Sequence, residues 1–153
     1  MLKQRVITAL VLLMVLIPAL LYANPAPFFL IALVFMAAAG WEWARMNGSR
    51  GLPAWLAGGT CLLVCASMWW AGWVTQPLPR VWLLAGSAGG RESAWVLRAG
   101  GPAWGAYPKS LSMVLGLMAL SLTWLAVAQA RHIGVNFLLS VLALVWVADI
   151  GAY

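Results

Sequence analysis

Few side chains in this sequence could do chemistry, and their spacing narrows the choice. Asp149 is the only aspartate and the first acidic residue after Glu92; it closes a long apolar run that begins at Ile133. A carboxylate at the end of a hydrophobic helix is costly to hold near lipid, so it marks a functional position by default. The plainer reading is an interfacial carboxylate that helps the helix end in water. With one histidine, His132, and one aspartate, no Ser/His/Asp arrangement with workable spacing exists. Residues 86–90 are glycine-rich but lack the Gly-Lys-Ser/Thr that follows in a phosphate-binding loop, so Gly89 and Gly90 read as flexibility. Cys61 and Cys65 lie four apart on one helix face with no third ligand. They cannot bridge each other along one helix, and they read as small apolar residues. Glu42 and Arg45 are three apart and can pair along a helix. Glu42 reads as a structural carboxylate at the membrane interface.

The composition says what must position these groups. Of 153 residues 65% are hydrophobic and 8% charged, and the mean hydropathy is +0.94. Soluble domains carry about 25% charged residues, so the chain is expected to be an all-α, polytopic transmembrane bundle. Nine Lys and Arg against three acids give a net charge of +6. The basic residues lie between apolar runs rather than in one nucleic-acid-binding patch, so they set topology and meet anionic headgroups. Nucleic acid is not an expected partner.

Taken in order, residues 6–22 form a first span that follows Lys3 and Arg5 and is expected to stay uncleaved. The turn at residues 24–27 demands an antiparallel neighbour. Residues 28–41 form the second span, whose Ala37, Ala38, Ala39 and Gly40 admit a close helix. Residues 52–74 form the third, with Trp55 at one end and Trp69, Trp70 and Trp73 at the other. Residues 81–98 are awkward, because Arg91 at the centre of a span costs about 2.5–3.5 kcal/mol and glycines weaken it further. Residues 111–129 and 133–153 form the last two spans, joined by a short loop at residues 129–132. Asn136 and Ser140, one turn apart, could bridge helices through hydrogen bonds.

Charge decides whether the awkward stretch crosses. If it does, Lys3, Arg5, Arg45, Arg50, Arg98 and Lys109 share the cytoplasmic side, leaving Arg80 and Arg131 outside. If it does not, the basic residues are split. The positive-inside rule prefers the first arrangement. Six spans are therefore expected, the fourth weak, broken or re-entrant, with Asp149 at the cytoplasmic end.

The segment around Asp149 resembles a known pattern. Trp146, Ala148, Asp149, Gly151, Ala152 and Tyr153 match the W-x-A-D-x-G-A-Y segment of the phosphatidate cytidylyltransferases, also called CDP-diacylglycerol synthases. The start, with Lys3 and Arg5 before an apolar helix and Gly40, Trp41, Glu42 and Trp43 closing the second span, is similar to theirs. The resemblance implies a multi-pass inner-membrane enzyme that joins CTP to phosphatidic acid in phospholipid biosynthesis, giving CDP-diacylglycerol and pyrophosphate with Mg2+. It implies that Asp149 is a catalytic carboxylate, metal-associated or nucleotide-facing. The polar signature of the family's second half, with Lys-Asp and His-Gly-Gly, is not among residues 1–153. The chain is therefore read as an N-terminal portion that is inactive alone. The competing class is a small non-catalytic membrane protein, a transporter half or assembly subunit, in which Asp149 pairs with a partner's cation or serves as an ion site. Self-association is compatible with either.

Overall fold

A computed structural model describes residues 2–99 and 108–151. Six helices follow in order: α1 (Leu2–Leu21), α2 (Ala26–Met46), α3 (Leu52–Trp70), α4 (Pro79–Ala99), α5 (Lys109–Ile133) and α6 (Val135–Gly151). There is no strand among the described residues. This is the expected all-α membrane bundle. Helices are the natural outcome, because backbone groups inside a bilayer must be satisfied within their own segment. By length and composition α2, α3 and α5 can each cross a membrane, and most of each surface faces outward. Apolar stretches Leu10–Leu21 and Val135–Gly151 are shorter.

Packing starts from α2 and α3, the tightest pair. A Cβ on Gly58 would lie 2.7 Å from the Ala37 carbonyl oxygen, and one on Gly40 would lie 3.0 Å from the Cys61 Cβ. Small residues thus let the two backbones touch, as the sequence of residues 37–40 predicts. Helix α5 lies against both. Its Trp124 and Leu125 are fully buried beside Phe29, Leu33, Cys61 and Cys65. Phe29 meets the Trp69 and Trp124 rings edge-on, at 5.5 and 6.4 Å. The cysteines are free and buried, consistent with a packing role.

Several boundaries differ from the sequence reading. Helix α1 starts earlier than residue 6, at Leu2, and ends at Leu21, and α2 extends beyond residues 28–41 at both ends, so Glu42 and Arg45 are helical. Helix α3 stops at Trp70 rather than at Val74; residues 71–76 turn back, with Gly72 at φ +76°. Residues 129–132 are not a loop. They continue α5, because Gln129, Ala130 and Arg131 are good helix formers. The break falls on the single residue Gly134, which is extended, and α6 starts at Val135. Helix α4 runs unbroken through Gly86, Gly89 and Gly90, so these are helical rather than flexible. Intact geometry does not make it apolar, and it is not among the helices fit to cross a membrane by composition. Asn136 and Ser140 do not bridge helices: the Ser140 hydroxyl donates to its own helix, at the Asn136 carbonyl (2.8 Å).

Two polar clamps fix the ends of the bundle. At one end Ser112 Oγ donates to Asn47 Oδ1 (2.8 Å) and Trp43 Nε1 to the Ser112 carbonyl (3.2 Å). Asn47 Nδ2 returns to the Trp43 carbonyl (2.9 Å), so the close of α2 is tied to the start of α5. At the other end Gln129 gathers three segments. Its Nε2 donates to the carbonyls of Trp73 (2.7 Å) and Gln76 (2.9 Å), and its Oε1 accepts from Trp82 Nε1 (2.9 Å). Arg131 is 8% exposed, and its Nη2 donates to the Tyr22 carbonyl (2.7 Å) just past α1. That bond meets an orphan carbonyl of a helix end.

These clamps settle how the chain travels. Trp82, in the first turn of α4, is tied to the end of α5, whereas Ser112, in the first turn of α5, is tied to the end of α2. Helix α5 is about 37 Å long, at 1.5 Å per residue. The chain between Trp82 and Ser112 must therefore pass from one end of the bundle to the other. The 21 residues of α4 make a helix about 31 Å long, enough to span the hydrocarbon layer of about 30 Å.

Candidate functional site

Asp149 lies near the close of α6, a helix of 17 residues. After the Gly134 break, α6 folds back along α5. Val141 and Leu142 face Ala126 and Val127 across a cleft of 520 Å³. Leu138 is fully buried against the core and Leu142 partly so. Beyond Leu142 every described residue of α6 is exposed, including Val145, Trp146, Val147 and Ile150. The half of α6 that carries Asp149 is thus unpartnered, and the carboxylate itself is exposed.

The direction of α6 puts Asp149 at the end where α2 closes and α5 begins. The charges sort in the same way. Lys3, Arg5, Glu42, Arg45, Arg50 and Lys109 belong to that end by position along their helices, and Arg80 and Arg131 to the other. The structure thus groups these residues at two ends, the same grouping that the six-span reading of the charges expects. Glu42 does not pair with Arg45. The Arg45 guanidinium lies 4.7 Å from the centre of the Trp41 ring instead, a cation–π contact one helical turn away. Trp41 in turn lies 5.6 Å from Trp55, joining the two helices at the interface.

Asp149 does not gather a metal-binding set. No group of three or more His, Cys, Asp or Glu that could hold an ion forms among the described residues. His132, in the last turn of α5, lies at the opposite end of the bundle; it borders a pocket of 300 Å³ with Asn24, Gly72 and Thr75. Mg2+ is commonly held through one or two carboxylates plus substrate phosphates and water. Asp149 can supply one carboxylate of that set. The Tyr153 position of the motif lies outside the described residues, as do residues 100–107, which include Gly100, Gly101 and Pro102 at the close of the awkward stretch.

Sequence reasoning missed the clamps. Asn47, Ser112 and Gln129 are single uncharged polar residues near helix ends, and nothing in their spacing announces partners more than fifty residues away. Arg131, which the sequence alone puts in a short loop, is a buried donor in the last turn of α5. Its Nε finds no protein partner among the described residues, and neither does the Trp124 Nε1. The 520 Å³ cleft was also unforeseen. Its lining is apolar apart from Gln129 and the Trp82 ring, and it holds no ionisable group.

The chain matches the cytidylyltransferase family over residues 3–153. It is similar to a phosphatidate cytidylyltransferase of Pseudomonas aeruginosa, 31% identical over 172 aligned residues. That alignment takes in 100% of this chain and 56% of the relative, so the chain spans just over half of the relative's length. No solved structure matches it significantly.

Proposed function

The chain belongs to the cytidylyltransferase family, and from that premise we propose that it is the membrane-embedded N-terminal part of a phosphatidate cytidylyltransferase. The reaction joins CTP and phosphatidic acid. A phosphate oxygen of the lipid attacks the α-phosphorus of CTP, the bond to the β-phosphate breaks, and pyrophosphate leaves with CDP-diacylglycerol as product. The observation that carries the reading is the family match running through Asp149 to residue 153, with the acid on the end of the bundle where the basic residues gather.

Each part of the chain has a share in that chemistry. The spans hold the site at the membrane surface, where a lipid phosphate and a soluble nucleotide can meet. Asp149, exposed at the end of α6, presents a carboxylate to the aqueous side. Mg2+ there would neutralise triphosphate charge and orient the leaving pyrophosphate. Asp149 would contribute one ligand; the remaining groups come from substrate phosphates and from segments outside these residues. The bare half of α6 suits packing against such segments. Alone, the chain is expected to be inactive, and the inner membrane is its proposed location.

The test is CTP-dependent turnover of phosphatidic acid by the complete product of the reading frame that carries this chain. Product formation that needs Mg2+ and Asp149 supports the reading. A frame that ends directly after Tyr153, with no turnover, points to the non-catalytic membrane subunit instead.

A further inference from the structure

Lys109 reaches across from the first turn of α5 to the turn that joins α2 and α3. A Cβ built on Gly48, whose φ is +86°, would lie 3.7 Å from the Lys109 Nζ. Arg45 is three residues before Gly48 and Arg50 two after it, and all three cations are exposed. The Asn47–Ser112–Trp43 hydrogen bonds hold α5 against α2 at this level, so the start of α5 that carries Lys109 is fixed beside the turn that carries Arg50 and follows Arg45. One acid, Glu42, lies within a helical turn of Arg45 and offsets only part of the charge. The turn's own backbone is spoken for: the Gly48 and Ser49 N–H groups donate to the carbonyls of Arg45 (3.0 Å) and Ala44 (2.9 Å). The side chains, not a backbone nest, are what this corner offers.

The aromatic residues place the corner. Trp41 and Trp55 meet beside it with their rings tilted by 40°, and Arg45 lies over the Trp41 ring. Trp at a helix end marks the headgroup level of a bilayer. We infer that Arg45, Arg50 and Lys109 form a headgroup-binding site for a phosphomonoester lipid of the surrounding leaflet. A lipid is favoured over a soluble anion because the cations sit at the aromatic belt. A phosphomonoester is favoured over a phosphodiester because it carries roughly −1.5 to −2 charges and three acceptor oxygens near neutral pH. Three cations from two segments match that count better than they match one charge on two oxygens. The binding stands on this geometry alone. Its use as a collecting point for phosphatidic acid ahead of the reaction rests on the proposed function.

The test is lipid retention by the complete protein in nanodiscs of phosphatidylcholine doped equally with phosphatidic acid and phosphatidylglycerol. Lipid that stays bound after extraction is quantified by mass spectrometry. Phosphatidic acid should be enriched over both others. Each of Arg45→Gln, Arg50→Gln and Lys109→Gln should lower its retention about 5-fold, the scale of one basic residue near an anionic surface. Arg80→Gln, at the opposite end, should leave retention unchanged, and so should Asp149→Asn. Circular dichroism and size-exclusion profiles check that the variants fold. The inference is overturned by wild-type retention at the bulk ratio, by equal retention of phosphatidylglycerol, or by a loss caused by Asp149→Asn but not by the corner variants. Retention that persists while the complete protein turns over no CTP would sink the proposed reaction and leave this site standing.

Discussion

Asp149 costs the fold little, and that makes it a clean residue to test. It is exposed on a turn of α6 that packs against nothing described. Asp149→Asn should therefore change thermal stability in detergent by less than about 0.5 kcal/mol, as surface substitutions do; a large loss would mean that the residue serves the bundle. Arg131 is the opposite case. Its guanidinium is buried, donates to the Tyr22 carbonyl and leaves Nε unpartnered. Arg131→Ala removes a charge-assisted bond of about 1.5–3 kcal/mol. Arg131→Met keeps the stem and drops a buried charge that costs desolvation. Thermal melts should rank Arg131→Met above Arg131→Ala, and equal losses would show that the packing of the stem is immaterial. The sequence made Asp149 legible because it is one acid at the end of an apolar run. It hid Arg131, because a basic residue beside a histidine reads as a loop until the helix is seen to continue to Ile133.

At the scale of elements, the close approach of α2 and α3 depends on glycines whose surroundings differ. Gly58→Ala would bring a Cβ within 2.7 Å of the Ala37 carbonyl oxygen, a backbone atom that cannot swing away. Gly116→Ala would run into the Trp43 ring and disturb the clamp to Ser112. Each should cost about 1–3 kcal/mol, the range for overpacking. Gly59→Ala meets nothing within 4 Å, and in an exposed helix position it should be neutral or slightly stabilising. Unfolding in detergent micelles followed by circular dichroism orders the three; a Gly59→Ala loss as large as that of Gly58→Ala would remove the steric explanation. The run of small residues before Trp41 announced this contact in sequence, because small side chains in an apolar helix have few other uses. The ends of the elements were harder to read. Residues 71–76 continue the apolar, Trp-rich pattern of α3, and only Gly72 signals the turn. Helix α4 shows the reverse: its composition hid an unbroken helix, because its length and its ties at Trp82 are tertiary facts.

The whole molecule is organised by which end each loop occupies. In a variant lacking Cys61 and Cys65, single cysteines at Ser49 and Ile150 should react with an impermeant thiol reagent from the cytoplasmic face. Cysteines at Asn24 and Gln76 should react from the other. Positions 150 and 76 reacting from the same face, with position 49 on the other, would break the crossing assigned to α4 and with it the location of Asp149. Charge alone predicts this topology, since only a crossing fourth segment puts most of the basic residues on one side. What the sequence could not supply is the partner of α6, for its exposed half carries no pattern beyond uniform apolarity. Under the proposed function, that bare half is the surface on which further chain would complete the site. The most direct measurement is the Mg2+-dependent transfer of radiolabelled CTP to phosphatidic acid by the complete protein, wild type against Asp149→Asn. The account predicts labelled CDP-diacylglycerol from the wild type and a fall of at least about 10²-fold in the variant, the scale of losing a group that stabilises developing charge. A folded Asp149→Asn protein that matches the wild-type rate would contradict it.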